Sequence, residues 1–83
     1  MQHSYSVSFM RLCPVDDTTI RYELLLTSEQ KIMAEDIVAA VSGSTATLQE
    51  DLAEHLSDTF VLASGRLTAA HGPVKIMSQW EPM

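Results

Sequence analysis

TTIRYELLLTSEQKIMAEDIVAAVSG, residues 18–43, changes its period partway along, and that change decides the fold. Up to Thr27, Ile20, Tyr22, Leu24 and Leu26 alternate with Thr19, Arg21 and Glu23. Side chains on an extended chain point alternately to its two faces, so this is a strand with one buried face. Beyond Thr27 the apolar residues recur at helical spacing, and Met33, Ala34, Ile37, Val38 and Val41 share one arc. Thr27 and Gln30 have the spacing of a capping box, and Gly43 is placed to close the helix in a left-handed conformation. The stretch therefore predicts a strand over 18–27 and an amphipathic helix over 28–42.

Upstream, Ser4, Ser6 and Ser8 alternate with Tyr5, Val7 and Phe9, which is a second strand. Pro14 and the paired Asp16 and Asp17 of CPVDD suit the turn between the two. Downstream, Leu48, Leu52, Leu56 and Phe60 form a stripe behind a second capping box, Thr47 to Glu50. This helix is expected to reach Ser64 and stop at Gly65. The competing reading ends it near Asp58, because TFVLA (59–63) is also a good strand. Finally Leu67 and Ala69, the turn HGP (71–73), then Val74, Ile76 and Trp80 read as a second hairpin.

The order β-β-α-α-β-β has one economical solution, because every element has a single apolar side. It is an α+β fold: a two-layer structure in which two helices cover one face of a four-stranded, mainly antiparallel sheet. Residues 1–83 form one domain, with 1–3 and 81–83 expected to fray. The outer sheet face then carries Ser6, Ser8, Thr19, Arg21, Glu23, Thr68 and Lys75. Met10, Leu25 and Met77 fall in the same phase, as contacts for a second copy or as scattered surface hydrophobes.

With 46% hydrophobic and 19% charged residues the chain is globular in composition. Eleven acids against 5 bases give a net charge of −6, which disfavours direct binding to nucleic-acid phosphates or an anionic membrane. No apolar run approaches the roughly 18–20 residues that span a bilayer, and MQHSYSVSF lacks the pattern of a signal peptide. Cys13 is the only cysteine, so no internal disulfide exists. A soluble cytoplasmic protein is the expectation.

The sequence assigns no catalytic residue, metal ligand or cofactor. His3, His55 and His71 lie far apart along the chain, and Asp51 with His55 offers one weak pair at helical spacing. Cys13 is read as structural, because Asp16 and Asp17 beside it would raise a thiol pKa and the only local base is Arg11. The glycines are too dispersed for a phosphate cradle.

Charge is the informative feature. Between residues 28 and 64 seven acids face the single base Lys31, so the whole net charge of −6 resides in the helical layer. The resulting expectation is a small, non-enzymatic regulatory protein whose acidic helical face docks on a basic surface of a larger macromolecule, a protein partner in the first instance. One form is an inhibitor of a nucleic-acid-handling complex. Ile32, Glu35, Asp36, Glu50, Asp51, Glu54 and Asp58 would carry that contact, with Ile32 as an apolar centre inside an acid rim. Two alternatives stand beside it. One is a structural homodimer joined through Met10, Leu25 and Met77. The other is a small enzyme with a site between subunits, needing for instance Cys13, His71 and an acid from a neighbour.

Overall fold

A computed structural model describes residues 1–42 and 48–82. Strand β1 (His3–Leu12) pairs antiparallel with β2 (Thr19–Ser28). Helices α1 (Ala34–Val41) and α2 (Gln49–Thr59) follow, then β3 (Ser64–His71) and β4 (Val74–Trp80). The sheet order is β1-β2-β3-β4, antiparallel throughout, so the chain has the α+β fold expected from its periodicities.

The core forms where the two patterns meet. Tyr22, Leu24 and Leu26 of β2 and Leu67 of β3 pack under Leu52 and Leu56 of α2, all essentially inaccessible to water. Each such side chain contributes about 1.5–3 kcal/mol through burial. Both helices are shorter than the roughly 12–15 residues at which isolated helices become even marginal, so this packing is what holds them.

The first helix departs from expectation at its start. Thr27 and Ser28 continue β2, because Thr27 has register partners on both sides, Ser4 and Ser64, and Ser28 has His3. Two ladders outweigh one capping box. Ser28 Oγ instead accepts the Gln30 amide at 3.0 Å, and Tyr5 Oη accepts the Ile32 amide at 3.1 Å, tying residues 29–33 to the sheet. Only Ile37 and Val41 of the expected apolar arc are buried, while Met33 and Val38 face solvent. At the far end Arg11 Nη2 donates to the Val41 carbonyl at 2.9 Å, a cationic partner where the helix leaves carbonyls unpaired. The proposed stop at Gly43 lies outside the described residues.

The second helix ends at Thr59, short of Ser64. Phe60 donates its amide to the Leu56 carbonyl, and Ala63 donates to Phe60, which turns the chain into β3. Gly65 lies inside β3 opposite Trp80, and a Cβ there would run into the indole ring. Leu48 is half exposed at the N-cap, so the stripe begins at Leu52; Thr47 is outside the described residues. Among the described residues no helix is long and apolar enough to cross a membrane.

In an antiparallel meander the β1–β2 and β3–β4 turns must lie at the same end of the sheet. The first turn is closed by Cys13 N–H donating to the Thr18 carbonyl (2.8 Å) and Asp17 N–H donating to the Cys13 carbonyl (3.0 Å). Asp17 takes φ 60°, a left-handed conformation that aspartate tolerates better than most residues. In the second turn Gly72 has φ 62° and Pro73 follows. Positive φ at the first central position with proline at the second suits a type II′ hairpin turn. The start of α2 reaches the same end: buried Gln49 donates through Nε2 to the Leu67 and Ile76 carbonyls at 3.1 and 3.2 Å.

Candidate functional site

The two turns bring together side chains that are 55 residues apart in the case of Asp16 and His71. Asp16 Oδ1 accepts the Thr18 amide at 3.1 Å and the Thr18 hydroxyl at 2.7 Å. This fixes the carboxylate and leaves Oδ2 facing His71 Nε2 at 3.7 Å. The Cys13 sulfur lies close to both. The sulfur, a carboxylate oxygen and an imidazole nitrogen all lie within 4.8 Å of one another, the one such trio of possible ligand atoms among the described residues. Cys13 is 3% exposed, whereas Asp16 and His71 are open to solvent.

The electrostatics follow from these contacts. Hydrogen bonds from the Thr18 hydroxyl and amide, then from Cys13, together with the nearby His71, hold the Asp16 pKa down at about 2, against an ordinary 3.8. Asp16 is thus ionised across the physiological range. Tyr22 is shifted the other way. Burial raises its pKa, reinforced by Cys13 and Glu50 and opposed by Arg11.

Cys13 and His71 line a cleft of about 140 Å³ whose walls include Ile20, Tyr22, Ile76, Gln49 and Glu50, with Asp16 beside it. Its apolar walls and few polar groups resemble a ligand site, but at about 140 Å³ it is smaller than the roughly 300–1,000 Å³ of ordinary pockets and takes only a ring-sized group. A larger groove of about 570 Å³ runs over α1 and α2 past Ile32, Asp36, His55 and Phe60, but no such trio of donors converges there.

The residues expected to form a docking face are placed otherwise. Ile32 precedes α1 and packs against the core, so it is not an exposed centre ringed by acids. Glu35 and Asp36 occupy the first turn of α1, and Glu50 and Asp51 the first turn of α2, where the helix dipole favours anions. Glu54 and Asp58 are exposed farther along α2. Met10, Leu25 and Met77 do face outward, but Met10 is opposite Arg21, Leu25 opposite Arg66 and Met77 opposite Thr68. Charged and polar neighbours separate them.

No protein-family model matches the sequence, and no curated protein matches it significantly. Among solved structures the chain is similar to the archaeosine synthase QueF-Like in its apo form. The TM-score is 0.81 at 13% identity, over 98% of this chain and 92% of that one. At that identity the likeness shows the fold. It overturns the expectation of a non-enzymatic acidic inhibitor, because the architecture that carries the acids is one found in an enzyme. The expectation that the chain is not an enzyme is corrected with it. A solvated helical face explains the acids, four of them at helix starts.

Sequence reasoning missed Asp16 as a partner of His71. It named Cys13 and His71 for an enzyme site but sought the acid on another subunit. The missing signal was topological: once the order is a β-hairpin, two helices and a β-hairpin in one antiparallel sheet, residues 13–18 and 71–74 must share an end.

Proposed function

We propose that this domain is an enzyme whose reaction centre is the Cys13–Asp16–His71 corner, acting on a small molecule of the nucleobase type. The observation that carries the reading is the convergence of thiol, carboxylate and imidazole within 4.8 Å, two of them, Cys13 and His71, lining a mostly apolar cleft. A nucleophile, a proton acceptor and an orienting group within reach of one another are the general requirement for covalent catalysis. Cys13 would supply the attacking sulfur. His71 would take the thiol proton, since imidazole exchanges protons near neutrality. Asp16, fixed by Thr18, would orient His71. Glu50 and Gln49 at the cleft wall would fix the ring edge of the substrate by hydrogen bonds.

The substrate class is suggested by the structural neighbour, whose name makes it a synthase of archaeosine. A free base or nucleoside suits this chain better than a polynucleotide, because a net charge of −6 repels a phosphate backbone. The test is incubation of the chain with a panel of nucleobases and nucleosides bearing an electrophilic carbon, read by intact mass. The expected result is a single adduct on Cys13 with one of them, absent in Cys13→Ala. No adduct with any of them, together with thiol reactivity no greater than in the unfolded chain, would refute the reading.

A further inference from the structure

The same corner has the chemistry of a transition-metal site. Cys13, Asp16 and His71 offer one sulfur, one oxygen and one nitrogen, a mixed set that suits Zn²⁺ better than the oxygen-seeking Mg²⁺ or Ca²⁺. Zinc bond lengths of about 2.0–2.3 Å at tetrahedral angles place ligand atoms roughly 3.3–3.6 Å apart. The 3.7 Å between Asp16 Oδ2 and His71 Nε2 is near that spacing, and it is longer than a direct hydrogen bond. All three donor atoms lie within 4.8 Å of one another, and the exposed His71 side chain has room to turn towards the other two.

The surroundings are also those of a ligand set. A metal-binding carboxylate usually has its other oxygen held by a second set of contacts. Asp16 Oδ1 is held in that way by the Thr18 amide and hydroxyl. The three donors come from two neighbouring hairpin turns, so folding itself gathers them before an ion arrives. Three protein ligands leave one tetrahedral position for water or another small ligand, as in catalytic and exchangeable zinc sites.

We propose that this corner binds a single zinc-class ion through Cys13 Sγ, Asp16 Oδ2 and His71 Nε2, and that the bound ion damps the nucleophilic thiol. The inference rests on the reading of the corner as a reaction centre and adds its regulation. A thiolate that shares charge with a bound metal attacks carbon more slowly than the free thiolate, so occupancy by zinc damps covalent chemistry at Cys13.

Co²⁺ is the probe, because a thiolate ligand gives an intense charge-transfer band that oxygen and nitrogen ligands do not. Titration of the untagged chain is expected to give that band at one equivalent. Cys13→Ser should abolish it. His71→Ala, at an exposed position, should weaken binding at least tenfold, and Thr18→Val about tenfold. His55→Ala should leave binding unchanged. In parallel, alkylation of Cys13 by iodoacetamide, in which sulfur displaces iodide, should be rapid in chelator and at least tenfold slower with one equivalent of Zn²⁺. Absence of the band, binding unaffected by His71→Ala, or binding lost in His55→Ala instead, would overturn the metal site. Rapid alkylation in chelator alongside a failed cobalt titration would leave the enzyme reading intact. Slow alkylation in chelator would sink that reading whatever cobalt does.

Discussion

Asp16 is the residue on which the site turns, and its ionisation is set by its neighbours. With a folded pKa of about 2 against an ordinary 3.8, the native carboxylate holds its proton less tightly than the unfolded one. Asp16 therefore favours the native state above pH 3.8, and that preference is lost as the pH falls towards about 2. Thr18 is the first cause, so Thr18→Val should move the Asp16 pKa up towards 3.8 in an NMR titration of the side-chain carboxyl. A pKa that stayed near 2 in the variant would show that something other than Thr18 holds the group. Cys13 could be singled out in the sequence as the lone thiol, but its reactivity could not. The sequence places two acids beside it, whereas the imidazole that changes its surroundings arrives from residue 71 through folding.

At the scale of elements, the strands were readable because period two survives in each of them, and the helices only in part. Local chemistry at Thr27 favoured a helix start, yet sheet pairing on both sides drew Thr27 and Ser28 into β2. Gly65 shows the same precedence of tertiary contacts. A glycine after an amphipathic run reads as a helix stop, whereas here it is the place where the Trp80 ring lies flat against β3. A methyl group added there has to displace the indole, at a cost of about 1–3 kcal/mol for an overfilled site. Gly65→Ala should lower the urea midpoint and shift the emission of the single tryptophan to the red as the ring meets water. Unchanged fluorescence and stability would mean that the ring does not pack on β3 in solution.

For the whole molecule, the segregation of charge was the most conspicuous feature of the sequence and a poor guide to function. Helix starts attract acids for structural reasons, so a −6 charge gathered on two short helices does not require a basic partner. Topology was the better guide. A meander of four strands with both hairpin turns at one end, and α2 beginning there, gathers into one corner residues whose sequence positions give no hint of proximity.

The most direct measurement of that corner is the rate at which iodoacetamide alkylates Cys13 at neutral pH in chelator, compared between the native chain and His71→Ala. If thiol and imidazole work together, removing the imidazole slows alkylation by roughly tenfold or more, the scale on which a positioned acid or base acts. Equal rates in the two proteins, with both folded, would contradict the assignment of the two hairpin turns as a reaction centre.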